Sequence, residues 1–157
     1  MGLTYRDSFD VTMVLILIGI IAVYLFVNIL YILTLRNTFK SISEQNRTMA
    51  PNNTWLLLIP VFNLVWSFIV VNNLSESILK ESKLKSFPLS EANPANGTGI
   101  AMSVLRCTTI VPVLGFFSGL AAVICWIIYW VQINNYKKAI QAAPYNGTGN
   151  DSVIFKF

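Results

Sequence analysis

The chain has 157 residues, of which 55% are hydrophobic and 11% charged, with a formal net charge of +4. Soluble domains run nearer to roughly 45–50% apolar and about 25% charged, and here the excess is gathered in long uncharged runs, which excludes an ordinary soluble core and points to an integral membrane protein. Lysine and arginine flank those runs instead of forming a basic patch interleaved with aromatics, so the expected partner is the lipid bilayer with its headgroups and not nucleic acid.

The first run, VTMVLILIGIIAVYLFVNILYILTL at 11–35, carries no charge and is long enough to cross a hydrocarbon core of about 30 Å. It exceeds the roughly 7–15 residues of a signal-peptide core, and Leu35-Arg36-Asn37 offers no cleavage site, so it is read as a retained anchor. Phe39 and Ile42 keep an apolar face at helical spacing, which predicts that the helix runs on past Arg36. Met49-Ala50-Pro51 breaks it, and Asn53 or Thr54 is expected to cap the next helix.

A second span is predicted over 54–75, beginning WLLLIPVFNLVW. Glu76–Lys80 and Glu81–Lys85 are acid-before-base pairs four residues apart, so the helix is expected to continue beyond the membrane to about Lys83. FPLSEANPANGTG is the following loop.

From Gly99 to Gln132 the only charge is Arg106. One helix over that range would be about 50 Å long, and Val111-Pro112-Val113-Leu114-Gly115 has turn chemistry. Spans over 99–111 and 116–134 are therefore predicted. The fold expected is an all-α membrane helical bundle of four transmembrane helices in one domain, residues 1–143, with a mobile tail at 144–157. The alternative is three spans plus an interfacial helix carrying Arg106. With four spans, the lysine and arginine distribution predicts both termini on the cytoplasmic side.

Pro60 and Asn63 interrupt the second run. Proline within a helix removes a backbone hydrogen bond and bends it, and in hydrocarbon the freed groups need a partner inside the protein. Asn63, and Asn28 if the first two helices run antiparallel, are expected to supply one across the helix interface. The sharper possibility is a polar site at a discontinuous helix, as in many transporters. Trp55 suits the headgroup belt, while Trp66 lies deeper and is expected to pack between helices. Gly115 and Gly119 form a GxxxG with Ser118 and Ala122 beside it, a strip that lets backbones approach closely. CWIIYW at 125–130, followed by Tyr136-Lys137-Lys138, marks an aromatic and basic exit from the membrane.

Arg36-Asn37, Arg47, Pro51, Trp55, Ile59-Pro60, Asn63-Leu64, Trp66, Val70-Val71 and Leu74 together resemble the central part of a bacterial membrane family known only as a domain of unknown function, with a Trp…Pro…Asn-Leu-Trp core. The resemblance covers about a quarter of the chain, and the last third is shorter than that family's pattern. It implies a small four-helix bundle in a bacterial inner membrane and no assigned activity.

Absent chemistry narrows the function. The chain has no histidine, which removes histidine-ligated metals, haem and a histidine base. All seven carboxylates fall outside the predicted spans, so a proton-coupled exporter lacks its intramembrane acid. The two cysteines, Cys107 and Cys125, lie in apolar surroundings as packing residues. No catalytic, metal or cofactor motif is legible, and no enzyme is expected. With four spans, Arg106 within SVLRCTT is the one intramembrane charge and must be paired or wet; with three, it snorkels to the headgroups. Two functions follow: a non-catalytic packing or accessory module, self-associating or part of a larger complex, or a small channel or carrier with a polar site at Asn63 and Arg106. The first is the preferred expectation.

Overall fold

Helix α1 (Gly2–Ser41) runs unbroken from the apolar anchor into the polar sequence beyond it. The computed structural model describes residues 2–109 and 112–144, and it is helical throughout with no strand among them. A 3-10 segment, Pro51–Leu58, leads into α2 (Pro60–Lys85), and α3 (Asn96–Thr108) and α4 (Pro112–Ala142) form a hairpin. The tail beyond Pro144, expected to be mobile, lies outside the described residues.

Among the described residues three helices are long and apolar enough to cross a membrane: Asp10–Ser41, Pro60–Lys85 and Phe117–Ala142. The fourth expected span is not among them. Helix α3 has 13 residues, about 20 Å at 1.5 Å per residue, well short of a bilayer core. The structure matches the three-span alternative in count, although α3 is packed into the bundle and is not a free interfacial helix.

The second helix does not begin at residue 54. Ile59 is extended (φ −81°, ψ 111°) and Pro60 takes the first helical position of α2. A residue before proline is steered away from helical geometry, and a proline at the helix start loses no hydrogen bond, since the first amides have no acceptor there. The Asn63 amide bonds the Ile59 carbonyl at 2.8 Å, closing the first turn. Pro60 therefore starts a helix instead of kinking one, and Thr54 turns its hydroxyl back to the Pro51 carbonyl instead of capping.

The register between helices fixes their directions. Tyr31 meets Trp126, Trp130 donates to the Thr34 hydroxyl at 2.9 Å, and Gln141 reaches Ser41, so α1 and α4 run parallel. Helix α2 runs the same way, with its start beside Asn28 and Glu81 beside Ser43. The antiparallel pairing expected of the first two helices is thus not found. The return paths are the Pro51–Leu58 segment, whose Asn52 accepts from Arg36, and α3, whose Asn96 bonds Asn72 at 2.8 Å. A 3-10 segment of 8 residues covers about 16 Å at 2.0 Å per residue.

The molecule divides along its length. At one end, Leu35, Phe39, Ile42, Leu74, Ile78, Ile133 and Ile140 are fully buried and form a core like that of a water-soluble bundle. There Glu81, with 0% exposure, accepts from the Ser43 amide and hydroxyl and from Asn46, and pairs with Lys85 at 3.1 Å. Lys85 also bonds the Ile140 carbonyl, tying α2 to the end of α4. Arg47 folds back onto the Ile42 and Lys40 carbonyls, closing the end of α1. We call this end the head. Toward the other end apolar side chains face outward: Val61 is 82% exposed, and every residue from 10 to 26 of α1 is exposed.

Candidate functional site

Below the head the four helices enclose a cavity of about 550 Å³. Asn28 of α1, Pro60 and Asn63 of α2, Arg106 of α3 and Gly119 of α4 all line it. Five of the eight residues singled out from the sequence are thus brought to one place. The helix directions put them there: α2 begins in the apolar zone because Pro60 starts it, and α3 descends from the head far enough to carry Arg106 to the same level. That level faces residues 23–28 of α1, near the middle of its uncharged run.

The other three singled-out residues lie elsewhere. Trp66 stacks on Phe62 with ring centroids 5.1 Å apart, and its indole N–H donates to the Asn53 carbonyl at 2.9 Å, stitching α2 to the incoming segment. Trp55 is 38% exposed on that segment. Gly115 faces the end of α3, where an added Cβ would stand 2.8 Å from the Thr109 carbonyl oxygen. The GxxxG is used inside the hairpin: Gly115 allows the tight approach and Gly119 opens onto the cavity.

The expected amide bridge is not formed. Asn28 spends its N–H on the Tyr24 carbonyl of its own helix at 2.8 Å, and the Asn63 side-chain oxygen is buried with no hydrogen-bond partner among the described residues. The Trp126 indole N–H, from another lining residue, is equally without one. Burying such a group unpaired costs about 1–3 kcal/mol. Arg106 is the only charged residue lining the cavity, and among the described residues it forms no ion pair. The Arg106 carbonyl, in contrast, is taken by the Thr109 hydroxyl at 2.7 Å.

The lining offers groups suited to binding. The Arg106 guanidinium, the Asn63 amide oxygen and the Trp126 indole N–H stand with the side chains of Tyr24, Asn28 and Thr109 among mostly apolar residues such as Val23, Val27, Leu64 and Ala122. No group of three metal-ligating side chains occurs among the described residues, and none of the described lining residues carries a carboxylate or a thiol, the Tyr24 and Thr109 hydroxyls being present there.

No family model, curated protein or solved structure matches this chain. The site is read from its own residues.

Sequence reasoning missed three features. Trp126 read as part of an aromatic exit, yet it lines the cavity. Gly99 packs so closely that an added Cβ would lie 2.5 Å from a Val71 methyl and 2.8 Å from the Tyr129 ring; a glycine three residues after Asn96 in a turn-rich stretch gave no sign of it. Glu81 read as a solvated surface charge, and only the chain reversal at Glu44–Asn46 buries it.

Proposed function

We propose that this is a non-catalytic membrane protein that binds an anion within the bilayer, as a small carrier or binding subunit. The observation that carries the reading is Arg106, without an ion pair among the described residues, lining the same cavity as a buried amide oxygen and an indole N–H that also lack partners among them, at the level of the middle of the uncharged run of α1. A charge at such depth costs about 2.5–3.5 kcal/mol on insertion scales, and an anion held against the guanidinium offsets that cost. The test is uptake or saturable binding of an anionic probe by the protein in liposomes. Wild type should show it and Arg106→Ala should not; equal behaviour of the two sinks the reading.

The packing or accessory role keeps one specific support, the long apolar stretch of α1 that no other described residues cover: none of its most apolar window is buried among them. Lipid suits it equally. A strictly solitary monomer in mild detergent, with nothing copurifying from native membranes, would remove this second reading.

The proposal includes an orientation. Helices α1, α2 and α4 are parallel, and neither return path is long enough to traverse about 30 Å of hydrocarbon. We therefore place α1 as the single full crossing; α2 and α4, although each is long and apolar enough to span, are then the rising arms of two helical hairpins, Pro51–Lys85 and Asn96–Ala142, dipping in from the head side. Asp10 and Ala142 then lie on opposite faces, in place of the shared cytoplasmic face expected of the two ends from four spans. Lys40, Arg47, Lys80, Lys83, Lys85, Lys137 and Lys138 all belong to the head side, so the positive-inside tendency puts the head in the cytoplasm. The family resemblance of residues 36–77 supports a bacterial inner membrane as the location.

A further inference from the structure

We infer that the cavity takes an acidic amphiphile, its carboxylate or phosphate headgroup on Arg106 and its alkyl chain lying outward between α1 and α4 among the lipids. This rests on the anion-binding reading above and names the ligand class.

The route to Arg106 decides it. Toward the head, the turn beyond the cavity lining is closed on every helix: Tyr31 on α1, Ser67 on α2, Met102 and Ser103 on α3, and Tyr129 on α4 are all buried. The Tyr31 ring stands edge-on to Trp126, Tyr129 and Trp130, with centroids 5.4, 6.5 and 5.9 Å away. Beyond that aromatic seal lie the fully buried Leu35, Leu74 and Ile133. A hydrated ion coming from the head side would have to shed its water and part this core.

The lateral side is different. Val23, Tyr24 and Val123 line the cavity and are 65%, 63% and 52% exposed, so they form its mouth, and in the orientation proposed they face lipid. A ligand already dissolved in the bilayer reaches Arg106 there without crossing an apolar wall. The headgroup chemistry follows from the donors. A guanidinium presents a planar fork matched to carboxylate or phosphate oxygens, the Trp126 N–H is a further donor, and the Asn63 oxygen accepts from a headgroup hydroxyl. The volume falls within the roughly 300–1,000 Å³ of small-molecule sites, and the mostly aliphatic wall suits the first carbons of a chain.

The full chain in nanodiscs of phosphatidylcholine alone is titrated with a brominated long-chain carboxylate, with tryptophan emission as the readout. Saturable quenching is expected, displaced by a long-chain alkyl phosphate and not by a long-chain alcohol or by inorganic phosphate. Arg106→Gln should weaken binding at least about tenfold, the scale of a lost charge-assisted hydrogen bond. Trp126→Phe should remove most of the emission that is quenched. Val123→Phe narrows the mouth with Arg106 intact and adds no emitting indole, so it should also block the probe; this variant keeps the test decisive if Arg106→Gln does not fold. If inorganic phosphate displaces the probe as well as the alkyl phosphate does, the amphiphile proposal is overturned while the anion reading stands. If wild type and a folded Arg106→Gln quench alike, and the alcohol competes as well as the acids, both fall.

Discussion

The Glu81 carboxylate on α2 receives both the backbone amide and the hydroxyl of Ser43, at 3.2 and 2.9 Å. The contact joins residues 38 positions apart and pins the chain just after α1 to the upper part of α2. Glu81 is wholly buried, whereas Glu76, of the same residue type in the same helix, pairs with Lys80 in the open at 2.8 Å.

Removing the first should therefore cost far more than removing the second. Glu81→Ala leaves the Ser43 amide, Asn46 and Lys85 without their acceptor, and a loss of about 3 kcal/mol is expected, in the range for breaking a buried charge pair. Glu76→Ala should change stability by no more than about 0.5 kcal/mol. Thermal or denaturant unfolding in detergent compares the two, and equal losses would show that the head is not held by this clasp.

Gly99 makes a second contrast. Alanine there drives a Cβ into Val71 and Tyr129, both buried in the core, and a loss of about 1–3 kcal/mol is expected from overpacking. Gly97, two residues earlier on α3, has open space around its Cβ position. Gly97→Ala should be neutral, or stabilising by up to about 1 kcal/mol through helix propensity. The same unfolding measurement reads both.

Pro60→Ala separates a helix start from a kink. Proline inside a helix costs about 3 kcal/mol, so replacing a kinking proline would stabilise the protein markedly. At the first helical position it contributes by restricting the unfolded chain, and its removal should lower stability by about 0.4–1 kcal/mol. A clear gain in unfolding midpoint would contradict the break at Ile59.

Orientation is tested by labelling. With Cys107 and Cys125 replaced by alanine, single cysteines at Asp10 and Ser86, both exposed, should react with a membrane-impermeant maleimide from opposite sides of sealed vesicles. Reaction of both from one side would remove the single-crossing arrangement.

Much of the architecture was legible because it is written in local chemistry. The continuous apolar face through Phe39 and Ile42 carried α1 past the apolar run toward Ser41, though not back to Gly2, and the spacing of Glu76–Lys80 and Glu81–Lys85 carried α2 to about Lys83, two residues short of its end. Pro112 marked the neighbourhood of the break after α3, but α4 begins at Pro112 itself and not at 116 as expected, since proline suits the first helical position. What could not be read was direction. Apolar runs in succession invite an alternating up-and-down reading, and nothing local announces that Pro51–Leu58 is a 3-10 return leading to a second ascent. Asn28, Asn63 and Arg106 were recognisable as costly polar groups in an apolar setting. That they share a cavity depends on parallel helices, and the Trp126 contribution depends on a register between α1 and α4 that neither sequence specifies alone.

The break at Ile59 bears on how such a chain is assembled. In the single-crossing arrangement proposed above, Pro51–Leu58 goes down and α2 comes back beside it, so the loops on either side would stay where they were made and no lysine-rich connection would be dragged through oil. Once α1 is threaded, biogenesis would reduce to letting two greasy fingers sink from one surface. The head, tied together by its own hydrogen bonds, would close over them last.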